Sequence, residues 1–191
     1  MRFDQLIRVR YRVCFESGWI SYSGFFAGLA IFLLCISSFG FDNVSQWGMM
    51  DVMLSLILPL LLLTAFGVLL CGFKLNSPFI YGIIGTLYCL YMVIRAFSYG
   101  GAGNILLAVI WYIVSGLVLL VTFSGVFPIR LLPGLLLFLP VVYRLVFIDF
   151  SLYFKAKDII GFLPEASALS GLLAFSFFGM CVKGKPVKQN I

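Results

Sequence analysis

The sequence predicts an all-α, polytopic integral membrane protein: six transmembrane helices joined by short loops, with both termini cytoplasmic. Three observations lead there. Of 191 residues, 63% are hydrophobic and only 10% are charged, whereas an average soluble domain carries about 25% charged residues. The mean hydropathy is +1.14. Apolar stretches of about 20 residues, the length that crosses a bilayer core, recur along the whole chain. These figures exclude soluble, disordered, collagen-like and disulfide-scaffold classes.

Residues 1–18 form a basic cytoplasmic segment that reads as a plain topogenic anchor; the alternative is that 2–15 lies on the inner surface as a short interfacial helix, with Phe3, Leu6, Ile7, Val13 and Cys14 toward lipid. The membrane domain covers 19–182, with spans near 19–40, 51–73, 78–97, 104–123, 131–153 and 165–182. Ser77-Pro78 opens the third span as a cap followed by a first-turn proline, and Pro164 precedes the sixth. Only Lys74 to Ser77 join spans two and three, which predicts a tight antiparallel hairpin. Pro59, Pro133 and Pro140 fall within spans and are expected to kink them. A basic tail, 183–191, follows. The charged start lacks a signal-peptide pattern, so one membrane domain is expected.

Orientation comes from the basic residues. Arg2, Arg8, Arg10, Arg12, Lys74, Arg130, Lys183, Lys185 and Lys188 fall on one side of the predicted bundle, against Lys155 and Lys157 on the other. The positive-inside rule makes the richer side cytoplasmic, in a plasma membrane of bacterial type, and an even number of spans puts both termini there.

Histidine is absent, and the carboxylates are only Asp4, Glu16, Asp42, Asp51, Asp149, Asp158 and Glu165. A Ser-His or Cys-His nucleophile and a His-ligated metal cannot be built. Cys14, Cys35, Cys71, Cys89 and Cys181 stand singly, without a C-x-x-C pair, and read as apolar packing residues. The aspartates are not clustered as metal-dependent phosphotransfer requires. The expectation is therefore a non-enzyme with no cofactor and no metal. Nucleic acid is not expected as a partner, because the net charge of +6 lies at helix ends, where it meets lipid head groups.

Charges inside spans carry the functional expectation. Arg144 falls near the middle of span five, roughly 20 Å from its start, and Arg95 toward the outer end of span three. An arginine at such depth costs about 2.5–3.5 kcal/mol to insert, so it needs a partner, a cavity or water. Tyr88, Tyr91 and Arg95 share a helix face by their spacing. With Tyr143 and Asp149 these residues define a candidate pocket in the outer half, suited to a carboxylate or phosphate on a small solute or lipid head group. The alternative is an internal network, Arg144 with Asp51 or Asp149, that locks the helices together.

Small residues mark expected packing seams: Gly24, Ala27, Gly28 and Ala30 in span one, Gly82 and Gly85 in span three. Such a seam also suits a membrane-protein partner or a homo-oligomer. In size and helix count the chain resembles the substrate-binding subunits of energy-coupling-factor vitamin transporters, which present an outer pocket and dock through small residues on the first helix. Gly24, Ala27, Gly28 and Ala30 are the analogous seam, although their spacing departs from that family's alanine-x-x-x-alanine pattern. Two functions follow as expectations. One is a small-solute binding or transport-related membrane protein; the other is a structural or accessory subunit of a larger membrane complex.

Overall fold

A computed structural model of the protein describes residues 11–15, 17–39, 52–72, 78–99, 105–125, 131–147 and 159–186. Among the described residues the fold is helical apart from one short ribbon. Six described helices follow one another: α1 (Ser17–Phe39), α2 (Leu58–Gly72, entered through a π-helical segment Met53–Ile57), α3 (Pro78–Tyr99), α4 (Ile105–Phe123), α5 (Leu132–Phe147) and α6 (Ile159–Met180). Strands β1 (Tyr11–Phe15) and β2 (Val182–Pro186) pair antiparallel. By length and composition, Gly18–Ser38, Pro78–Phe97, Ile105–Phe123 and Phe162–Met180 can each cross a membrane, and Ser55–Leu70 and Leu132–Val146 are shorter apolar helices. The chain is thus a helical membrane protein.

The ribbon corrects the alternative of an interfacial helix reaching residue 15, since Tyr11–Phe15 is extended and bonded to β2. The pairing partner lies beyond the last helix, where no local pattern could announce it. Its consequence is geometric: the start of α1 and the end of α6 lie at the same end of the bundle.

α6 is the central helix and packs along α1 and α5. Its small polar residues bind neighbouring backbones. Ser167 Oγ donates to the Ala30 carbonyl at 2.8 Å, and Ala174's carbonyl accepts from Ser23 Oγ at 2.7 Å, two turns away on both helices. Ser176 Oγ donates to the Gly134 carbonyl at 2.7 Å. Without water in the hydrocarbon, such hydrogen bonds and close backbone approach hold helices together.

Glycines set the closest approaches. A Cβ on Gly134 would strike the Met180 side chain and the Ser176 carbonyl, and one on Gly179 would lie 2.8 Å from the Gly134 nitrogen, so α5 and α6 cross backbone to backbone. Gly82 lets α3 meet α4, where an added Cβ would lie 2.9 Å from Phe123 Cβ. Gly85 faces Leu119 and Phe175. Ala27 and Ala30 are buried in the core. At Gly24 and Gly28, however, an added Cβ would meet nothing within 4 Å. The α1 seam therefore runs through Ser23, Ala27, Ala30 and Leu34, and the G-x-x-x-G pair lies off it, one residue round the helix.

Of the three prolines expected to kink spans, Pro59 and Pro133 each stand second in their helices. Pro133 is the second residue of α5, where a missing N–H costs no helical bond. Pro59 follows the π-helical segment, whose wider turn is closed by Leu58 N–H donating to the Met53 carbonyl. Pro140 lies inside α5. Pro164, expected before the last span, lies inside α6, because that helix starts at Ile159. The described part of α5 runs to Phe147, and residues 148–153 of the expected span lie outside the described residues.

Candidate functional site

Across the six helices, the described charged residues are Arg95 on α3, Arg144 on α5 and Glu165 on α6, and all three meet. Arg95 Nη2 donates to Glu165 Oε2 at 2.8 Å. Arg144 Nη1 donates to Glu165 Oε1. One carboxylate thus joins two arginines from two other helices. Its side chain is 11% exposed, against 8% for Arg95 and 27% for Arg144.

The helices supply the geometry. Tyr91 and Arg95 are one turn apart on α3, and Arg95 Nη1 donates to the Tyr91 hydroxyl at 3.1 Å. Tyr88 lies one turn further in, its hydroxyl donating to the Ala168 carbonyl at 3.2 Å. Gly171 makes room for that phenol, because a Cβ there would overlap its oxygen. Tyr88 and Tyr91 are buried, with ring centroids 5.4 Å apart. Tyr112 of α4, also buried, lies within electrostatic reach of Arg144, Glu165 and Arg95. Arg144 occupies the last turn of α5, where the helix dipole favours a cation. Glu165 lies roughly 22 Å along α6 from Met180, so the cluster occupies the half of the bundle away from the ribbon.

Chemically, the cluster pairs a saturated carboxylate with an arginine that is only partly used. Both Glu165 oxygens accept from guanidinium groups. Arg144 donates to Glu165 through Nη1, and among the described residues its Nε and Nη2 have no bonded partner. A guanidinium edge of that kind is planar and suited to two parallel bonds to a carboxylate or phosphate.

The structure brings together Arg95, Arg144, Tyr88 and Tyr91. Tyr143 is 51% exposed on α5. Asp149 and Asp51, expected as partners of Arg144, lie outside the described residues, as do Asp42 to Ser45, Lys74 to Ser77, Lys155 and Lys157. Arg144 stands in the last turn of the described helix, and the remainder of the expected span, 148–153, lies outside the described residues.

Glu165 is the residue that sequence reasoning missed. With Pro164 read as the residue before the helix, Glu165 looks like an end charge facing water. An earlier helix start draws it in. The available signal was arithmetic: two intramembrane arginines require an acid, and Glu165 is the carboxylate nearest to an apolar run of small residues.

Cysteine chemistry adds nothing to the site. Cys35, Cys89 and Cys181 are free thiols. Cys181, just past α6, donates Sγ–H to the Phe178 carbonyl, and burial pushes its thiol up to about 12. Among the described residues no group of three His, Cys, Asp or Glu side chains could hold a metal. No protein-family model, curated protein or solved structure matches the chain.

Proposed function

We propose that this is a six-span membrane protein with cytoplasmic termini that binds a small anionic solute, as a binding or transport-related protein, in the outer half of its bundle. The carrying observation is the Arg95–Glu165–Arg144 cluster, with the outer edge of Arg144 uncommitted among the described residues. Charges in hydrocarbon are expensive and gather where function or pairing compensates them. Arg144 is the contact for a carboxylate or phosphate, Arg95 and Glu165 hold it in place, and Tyr91 orients Arg95. The protein works without enzymatic chemistry, in a plasma membrane of bacterial type. The shared end of β1 and β2 supports the even span count.

A second reading, a structural or accessory subunit, is favoured by one specific observation: both Glu165 oxygens are already engaged. The cluster would then serve only to clamp α3, α5 and α6 together.

Native mass spectrometry of protein purified in mild detergent, with Arg144→Met beside the wild type, separates them. The binding reading expects a co-purified small anion that Arg144→Met loses, with the thermal transition retained because Arg95 still holds Glu165. A strongly destabilised Arg144→Met variant, from a wild type that carries no anion, overturns it.

A further inference from the structure

Among the described residues the buried tyrosines are Tyr81, Tyr88, Tyr91 and Tyr112, and their hydroxyls are used unequally. Tyr81 donates to the Leu69 carbonyl at 2.8 Å and Tyr88 to the Ala168 carbonyl at 3.2 Å, while Tyr91 accepts from Arg95 at 3.1 Å. Tyr112 is only 3% exposed, yet its hydroxyl has no hydrogen-bond partner among the described residues. A buried hydroxyl that bonds to nothing has given up water without a replacement, so each such group calls for an explanation.

The helix contacts place that phenol at the charged cluster. Thr86 Oγ1 donates to the Gly116 carbonyl at 2.9 Å, which sets α3 against α4. The next turn of α4 toward the cluster carries Tyr112, beside the part of α3 that carries Tyr88 and Tyr91. Trp111, the preceding residue, donates from Nε1 to the Leu136 carbonyl at 2.7 Å and so ties α4 to α5, the helix of Arg144. Tyr112 also lies within electrostatic reach of Arg144, Glu165 and Arg95. The unbonded phenol and the uncommitted Nε and Nη2 of Arg144 therefore belong to one region of the bundle.

We infer that Tyr112 donates a further hydrogen bond to the anion held by Arg144, and that this anion is a monocarboxylate. The inference rests on the anion-site reading and adds to it a recognition residue and a substrate class. Arg144 supplies two parallel N–H donors and Tyr112 a third. A carboxylate matches that set, because its two oxygens take the guanidinium edge and keep lone pairs for a phenol. A doubly charged phosphate brings a second negative charge toward Glu165, which is bonded to Nη1 of the same arginine and repels it.

The test is equilibrium dialysis of the purified full-length protein in detergent against labelled butyrate, benzoate and inorganic phosphate. The buffer is mildly alkaline, so that phosphate is doubly charged, and thermal melts are run without any of the three. The wild type is expected to bind the carboxylates in preference to phosphate, and Arg144→Met to lose them. Tyr112→Phe should weaken carboxylate binding about tenfold, the size of one charge-assisted hydrogen bond. Its thermal transition should hold or rise, because the deleted hydroxyl had no partner. Tyr88→Phe is the converse: it loses a bond to α6, so the transition should fall while binding is kept. Carboxylate binding that is lost in Arg144→Met but unchanged in Tyr112→Phe overturns the inference and leaves the anion site standing. Phosphate bound as tightly as the carboxylates does the same. A transition lowered in Tyr112→Phe as far as in Tyr88→Phe marks a structural tyrosine and also overturns the inference. A wild type that binds none of the three probes overturns both readings together.

Discussion

The two ends of α6 lie in the same protein but are held by different forces. Toward the ribbon, Phe178 stacks on Phe123 with centroids 5.2 Å apart and on Tyr81 at 4.8 Å, and meets Phe66 edge-on at 5.3 Å. About 20 Å away along the helix, Glu165 joins Arg95 and Arg144. In water the aromatic end would dominate through hydrophobic burial. In lipid the surroundings are as apolar as the core, so the rings contribute packing and little transfer energy. The charged end gains its weight from the opposite circumstance, because an unpaired charge has no water to turn to.

That contrast orders the expected effects. Glu165→Gln should be the most damaging change, since it removes the anion shared by the buried Arg95 guanidinium and the partly buried one of Arg144. Loss of one partner from a buried pair costs about 3–5 kcal/mol, measurable as a lowered unfolding transition in detergent. Replacing all three charges with methionine should recover most of the loss or exceed wild-type stability, because no buried charge remains. A harmless Glu165→Gln would break the comparison.

At the aromatic end, Phe178→Ala should cost less. With the transfer contribution largely removed, a cavity of roughly 100 Å³ at about 24 cal/mol per Å³ gives ~2 kcal/mol. A loss equal to that of Glu165→Gln would show that the two ends are not held differently.

Glycine substitutions sharpen the contrast between seam and lipid face. Gly134→Ala forces a methyl into the α6 backbone and should cost about 1–3 kcal/mol. Gly28→Ala meets open space and should be neutral or stabilising by up to about 1 kcal/mol through helix propensity. Parallel thermal melts of the two variants decide whether the open pair on α1 is covered by another chain. A destabilised Gly28→Ala would argue for such a contact.

The smallest effect is expected at Leu131, which enters α5 with φ of 65°. Left-handed backbone costs a non-glycine residue about 1–2 kcal/mol, and glycine returns part of that gain as chain entropy. Leu131→Gly should therefore raise stability by less than about 1 kcal/mol in the same assay.

Much of this architecture was legible without coordinates. Each helix overlaps an expected span, and the bounds of α3 and α4, Pro78–Tyr99 and Ile105–Phe123, fall within about two residues of the expected positions. The departure lies at the start of α6, where Pro164 imitates a helix start although the helix already runs from Ile159. Hydropathy reports whether a segment tolerates lipid, and says little about where a helix begins. At the site, Arg95, Tyr91 and Tyr88 could be grouped by helical spacing because they share α3. Glu165 could not, since it is 70 positions from Arg95 and sits on another helix.

The sequence by itself determined that the chain is a helical membrane protein and where its helices run. The reason is local: in hydrocarbon a segment must satisfy its own backbone, so about 20 consecutive apolar residues have little choice but helix. Tertiary structure decided which side chains meet. The contact of Arg144 with Glu165 depends on α5 and α6 approaching at Gly134 and Gly179, and that of Tyr88 with α6 depends on the space left by Gly171. The ribbon of residues 11–15 and 182–186 depends on the bundle bringing distant chain ends together. Hydropathy is a sum along the chain, whereas those contacts arise from the fit of helix surfaces across it.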